Sequence, residues 1–365
     1  MMRISTQNAH TVVLDSTGSD DVFSVKWNLS ELKCDKPVKV FSIFSCCGGS
    51  SMGYKRAGFK VIGNCEIDDK INRIYVANHH PKYNFNMDVR EFLKQDLPEE
   101  LIGIDILDGS PPCTTFSMAG KREDSWGEKK KFREGQTSQT LDDLFFVFLD
   151  VVEKLQPKIV VAENVVGLVQ GNARGYVNQI IKRFKELGYD VQLFKLNAAF
   201  MEVPQARERV FFIANRLGLP KLELRFNYPA IPFGEVRTAE PGREMPESSK
   251  LRPLLDMAKP GEKDLSKVSK RLGGKSSYFN WNIIADDAVA PTICAGSMLF
   301  RGCDKTYLTK QDIITVQTFP QDFDFLTEKE DTVLYACGMS VPPNMMAHIA
   351  HQIWQQWLKD GVENG

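Results

Sequence analysis

Four short apolar runs, each ending in a turn of small or acidic residues, alternate with amphipathic stripes along the first 220 residues. Residues 38–44 (VKVFSIF) enter a glycine-containing turn, and residues 61–65 stop at Glu66. Residues 104–107 stop at Asp108-Gly109, and residues 157–163 (PKIVVAE) end in a carboxylate. Continuous β-branched runs of this length suit strands buried on both faces. Between and after them, apolar residues recur at three- and four-residue steps. One stripe is Leu141, Leu144, Phe145, Phe148, Leu149, Val152 and Leu155; the other is Tyr176, Val177, Ile180, Ile181, Phe184 and Leu187. Such stripes are the buried faces of helices. The alternation implies an α/β, doubly wound sheet, with ligands at the carboxyl ends of the strands.

The rhythm stops near residue 216. Residues 218–303 are rich in Pro, Gly and charge and read as a second, smaller domain. Residues 304–365 return to the first, with a helical pattern over 345–358 that carries Ile349, Ile353, Trp354 and Trp357 on one face. Residues 1–37 read as an N-terminal extension, which leaves 38–217 as the main domain.

Several classes are made improbable by composition. No apolar run reaches the roughly 18 residues of a membrane helix, and the N-terminus lacks a charged segment followed by an apolar one. The eight cysteines show no CxxC spacing, and Cys46 and Cys47 are adjacent. Neither a zinc site nor a disulfide framework is expected, and a cytoplasmic location is. The net charge is −1, so any contact with nucleic acid must come from local basic groups. Lys129-Lys130-Lys131 with Arg133, Lys182-Arg183 with Lys185, and residues 259–275 supply them, although a solvated face explains each run equally well.

Five places along the chain carry chemistry. Residues 44–54 (FSCCGGSSMGY) follow the first strand, and small residues there let backbone approach a ligand closely. Glu66 ends the second strand, 17 residues after Gly49, where a carboxylate accepts from ribose hydroxyls. Residues 108–117 (DGSPPCTTFS) set Cys113 behind two prolines just past a strand end. A lone cysteine is usually a small buried hydrophobe; this one stands in a polar segment at the edge where α/β enzymes place their chemistry. Glu163, in AENVVG, ends the neighbouring run. Arg207 and Arg209 stand two residues apart in VPQARERVFFIA, a spacing expected to point both to one face.

Taken in order, these segments resemble the C5-cytosine DNA methyltransferases over roughly residues 38–216 and 288–358. The resemblance rests on the Gly-rich turn, Glu66, Pro-Pro-Cys113, the Leu144-Phe145-Phe146 helix start, Glu163-Asn164-Val165, Gln205-x-Arg207-x-Arg209, and Gly338-Met339-Ser340-Val341-Pro342. The chain departs from the family pattern at Cys46 (usually glycine), Ser42 (commonly aspartate), Thr114 (frequently glutamine) and Met339 (commonly asparagine).

The resemblance implies a Rossmann-like methyltransferase sheet with a smaller target-recognition domain. It implies S-adenosylmethionine as cofactor, S-adenosylhomocysteine as product, and no metal. Cys113 would attack, with Glu163, Arg207 and Arg209 beside it. Phe44, Cys46, Gly48, Gly49, Glu66, Ile67, Asp88, Val89, Pro111, Leu144, Ser340 and Val341 would line the cofactor. Ser117, Lys121 and Arg122, in a polar segment expected to close over the target, would touch DNA together with Lys267, Lys270 and Arg271. The partner is double-stranded DNA, with no membrane and a monomeric state expected; a cognate restriction endonuclease acting on the same site is left open. Two alternatives stand beside this one: a tRNA-directed relative, which shares the catalytic residues, and a catalytically silent DNA-binding homologue. The first usually carries a Cys-Phe-Thr signature, absent here. The intact Cys113, Glu163 and Arg209 argue against the second.

Overall fold

The protein is described from a computed structural model. It covers residues 23–112, 144–170, 174–275, 277–278 and 280–363, with the backbone of the short pairs Ser5–Thr6, Lys129–Lys130 and Gln139–Thr140.

Seven strands form the central sheet: β1 (Lys39–Ile43), β2 (Lys60–Cys65), β3 (Tyr83–Phe85), β4 (Ile106–Gly109), β5 (Ile159–Val165), β6 (Asp190–Asn197) and β7 (Glu208–Asn215). They lie in the order β6-β7-β5-β4-β1-β2-β3, and Ser5–Thr6 adds a parallel pairing on the outer edge of β6. The strands from β1 to β5 pair in parallel, whereas β7 is antiparallel to both β5 and β6. The chain winds outward from β1 to β3 and then jumps back to place β4 beside β1. That reversal is the switch point at which open α/β sheets bind ligands.

Side chains alternate between two apolar layers, as strands covered on both faces require. Phe41, Val160 and Phe212 enter one layer with Phe92, Phe148, Leu149, Ile180 and Phe184. Their chain neighbours Val40, Ile159, Val161, Phe211 and Ile213 enter the other with Tyr54, Phe59, Met345, Met346 and Ile349. The helices of the first part are α1 (Gly49–Arg56), α2 (Asp69–His79), α3 (Val89–Phe92), α4 (Leu144–Leu155) and α5 (Arg174–Glu186). Asp68 starts α2 by accepting from the N–H groups of Lys70 and Ile71 at 3.0 and 3.2 Å.

Past Asn215 the elements shorten: α6 (Phe233–Val236), α7 (Arg252–Asp256), α8 (Leu265–Arg271), and a parallel pair, β8 (Trp281–Ile284) with β9 (Met298–Arg301). Met245, Leu255, Leu265, Val268 and Phe300 form a small apolar cluster of their own here. The chain then returns through α9 (Lys310–Val316), α10 (Glu330–Met339) and α11 (Pro343–Ile353), and α11 packs along α1.

The segment before β1 is stitched across this return. Trp27 is buried and donates its indole N–H to the Thr318 carbonyl at 3.0 Å, and the Phe23 N–H donates to Glu202 at 2.7 Å. The Arg56 guanidinium lies over the Trp27 ring.

Candidate active site

The turn between β1 and α1 is forced into an uncommon backbone. Phe44, Cys46 and Gly48 all have positive φ, at 55°, 50° and 93°. A Cβ on Gly48 would meet the His79 ring at 2.1 Å, and one on Gly49 would meet the Val341 carbonyl at 2.3 Å. No side chain fits at either position, so the turn lies flat between α2 and the stretch after α10. Ser340 closes the other side, its hydroxyl donating to the Ala336 carbonyl at 2.9 Å with the Cys47 thiol 3.2 Å away.

Glu66, just past β2, reaches back to this turn. Its carboxylate accepts from the Cys46 N–H and the Asp68 N–H, at 2.9 Å each. Burial pushes the carboxyl above its usual range, against the pull of these N–H groups. Ile67 beside it is 38% exposed, an apolar surface next to a carboxylate. Asp88 caps α3 by accepting from the Arg90 N–H at 2.8 Å, and Val89 behind it is buried.

On the other side of the switch point, the Asn164 side-chain amide donates to the Pro111 carbonyl at 3.0 Å. This bond ties the Pro-Pro segment leaving β4 to the end of β5. Leu144 is buried at the start of α4. Cys113, Ser117, Lys121 and Arg122 lie outside the described residues.

Glu163 and Arg209 meet. In the β5–β7 register Arg209 faces Val165 and Glu163 faces Phe211, so the two side chains are diagonal neighbours on one face. Arg209 Nε lies 2.8 Å from Glu163 Oε1, with side chains only 13% and 11% exposed.

Arg207 behaves differently, and the expectation that the spacing alone points both arginines to one face needs correcting. β7 begins at Glu208, so Arg207 precedes the strand and the two-residue rule does not reach it. Its buried guanidinium donates to the carbonyls of Ile293 and Gly338 at 2.9 and 3.0 Å. Burial, with help from the Arg209 charge, lowers its pKa to about 9. Gln205 works alongside it, accepting from the Ile293 N–H at 2.9 Å and pairing with Gln317. Gln317 in turn donates to the Cys337 and Ser340 carbonyls at 2.8 and 2.9 Å. Gln205 and Arg207 thus brace the stretch 337–341 against the sheet.

Lys267 and Lys270 are exposed on α8. Arg271 is engaged: its guanidinium binds both oxygens of Glu262, at 2.7 and 3.0 Å, and the Met257 carbonyl at 2.7 Å. Among the described residues no group of three His, Cys, Asp or Glu is placed to hold a metal.

Residues 38–264 and 302–355 match the family described as C-5 cytosine-specific DNA methylase. The chain belongs to this family. Among its relatives, the type II methyltransferase M.NgoPII of Neisseria gonorrhoeae is 28% identical over 352 residues, covering 87% of this chain and 95% of that protein. M.FnuDI of Fusobacterium nucleatum, also a type II methyltransferase, is 35% identical over 192 residues, or 53% of this chain and 51% of that one. A protein encoded in an E. coli prophage and described as a DNA modification methyltransferase shares the fold, with a TM-score of 0.63 at 20% identity over 88% of this chain and 99% of that one.

Proposed function

We propose that this methylase transfers a methyl group from S-adenosylmethionine to carbon 5 of cytosine in duplex DNA, through a covalent bond between Cys113 and carbon 6 of a flipped-out base. The observation that carries the reading is the Glu163–Arg209 pair, held at the strand edge beside the Pro-Pro segment that leads into Cys113.

The residues around the β1–α1 turn fit the cofactor chemically. Glu66 offers carboxylate oxygens for ribose hydroxyls, Asp88 an acceptor for the adenine amino group, and Phe44 and Ile67 apolar surface for the ring. When bound, S-adenosylmethionine supplies an electrophilic methyl group.

Cytosine C5 is too weak a nucleophile to take that methyl unaided. Addition of the Cys113 thiolate to C6 makes the ring enamine-like, and a thiolate both attacks and leaves well. Glu163, carrying a proton, donates to N3 and offsets the charge growing in the ring. Arg209 donates to O2. After methylation a base takes the C5 proton and Cys113 is expelled. A stacked base cannot undergo this, so the target must leave the duplex, at a cost on the order of a few kcal/mol. Residues 218–303 set the target sequence, with Lys267 and Lys270 on phosphates.

Methyl transfer to duplex DNA, with tRNA as the competing substrate, tests this reading. Label in DNA at C5 of cytosine is expected; label in tRNA alone would replace it with the RNA-directed alternative.

A further inference from the structure

Asp108 is a buried carboxylate that the chemistry above does not use. It lies in β4, one residue before its end, and faces Ser42 of β1 directly in the strand register. Its Oδ2 accepts from two hydroxyls, Ser42 and Ser50, each at 2.8 Å. The Tyr54 hydroxyl approaches Oδ1 at 3.4 Å. Ser42 stands two residues before Phe44 and Ser50 two residues after Gly48. One carboxylate oxygen therefore joins the strand that enters the 44–48 turn to the helix that leaves it. Position 42 is commonly aspartate in the family pattern, and in this chain the carboxylate stands on the facing strand.

We infer that Asp108 is a positioning residue, a staple across the base of the cofactor turn that replaces an aspartate at position 42. The inference rests on the reading that this turn takes S-adenosylmethionine. The groups facing Asp108 are Ser42 from β1, Ser50 and Tyr54 from α1, Tyr75 from α2 and Glu163 from β5. None is a cation, so its charge is supported by hydroxyl donors and by the first turn of α1. Burial pushes its pKa up to about 7, with Glu163 acting in the same direction and the hydroxyls opposing. Ionised, Asp108 accepts from both serines. Protonated, it is a neutral and poorer acceptor, so both serine bonds weaken, and the Tyr54 hydroxyl must turn to accept a proton carried on Oδ1. The staple is tight above neutrality and loosened below it.

Calorimetric titration of the full chain with S-adenosylmethionine, between about pH 6 and about pH 8.5, reads this out. Wild-type affinity should fall up to about tenfold from pH 8 to pH 6, with the step near neutrality. Asp108→Asn should bind more weakly at the alkaline end and lose that step, while any contribution from Glu66 persists. Ser50→Ala keeps the carboxylate and removes one donor, so its step should move to higher pH. The exchange Ser42→Asp with Asp108→Ser should restore alkaline affinity to within about threefold of wild type. An unchanged profile in Asp108→Asn or in Ser50→Ala overturns the staple, and an exchange variant no better than Asp108→Asn overturns the replacement of position 42. Absence of wild-type binding at every pH would instead overturn the assignment of the turn to the cofactor.

Discussion

Arg209 Nε and Glu163 Oε1 lie 2.8 Å apart across the antiparallel junction of β5 and β7, both nearly withdrawn from solvent. In the proposed mechanism this carboxyl and this guanidinium, delivered by two strands to one edge, serve N3 and O2 of cytosine. The bond they make to each other is the one a target base would exchange for its own.

Glu163→Gln should therefore lower kcat by about 10²- to 10⁴-fold, because the amide keeps the shape and cannot carry the acid's proton. Arg209→Ala should lower activity and also stability, on the order of 3 kcal/mol, since it strands a buried carboxylate. Single-turnover methylation and thermal melting separate the two effects. Near-normal kcat in Glu163→Gln would remove Glu163 from the chemistry.

Glu66→Ala should weaken S-adenosylmethionine binding far more than DNA binding. Its carboxylate also holds the Cys46 N–H, so the variant loses both a ribose acceptor and a support of the turn. Calorimetry with the cofactor and filter binding with duplex DNA read the two affinities. Equal losses in both would contradict the placement.

Asp108 gives an opposite pair of effects. Its folded pKa of about 7 lies above the ordinary 3.8, so the native state holds this proton more tightly than the unfolded chain. That contribution is complete below the ordinary value and is lost as pH rises through 7. Asp108→Asn should consequently melt higher than wild type at about pH 8, by on the order of a few kcal/mol of stability, with the gain shrinking toward acid. A variant that is more stable yet binds cofactor more weakly cannot be explained by damage to the fold. A lower melting temperature at alkaline pH would contradict the buried charge.

Much of this arrangement is legible in the sequence, and the exceptions have physical causes. The runs that become β1, β2, β4 and β5 are continuous and β-branched because both their faces are covered. β3 spans only Tyr83–Phe85 at the sheet edge and gives no such run. β6 mixes polar and apolar residues (DVQLFKLN) and escapes the same pattern. The Gln205-x-Arg207-x-Arg209 spacing identifies the right strand, yet Arg207 falls one residue outside it, where alternation gives no direction. Asp108 reads from sequence as a strand terminator. Its function depends on Ser42 and Ser50, which only the strand register and the helix that follows bring to it.

On α8, the proposed phosphate contacts divide. Lys267 and Lys270 are exposed, but Arg271 already holds Glu262 and the Met257 carbonyl. Replacing the two lysines by alanine should flatten the salt dependence of DNA binding by up to about two units of slope. Arg271→Ala should act mainly on the stability of this part of the chain. Binding isotherms across a salt series, beside melting curves, give both quantities. An unchanged slope in the double lysine variant would move the DNA contacts elsewhere.

The central claim is covalent attack by Cys113, and a duplex bearing 5-fluorocytosine at the target position tests it directly. Fluorine cannot leave as the C5 proton does, so the enzyme incubated with S-adenosylmethionine should be trapped as a stable protein–DNA adduct. Peptide mapping should place that bond on Cys113, and Cys113→Ser should give no adduct while still binding DNA. An adduct on another residue, or a Cys113→Ser variant that methylates at the wild-type rate, would contradict the account.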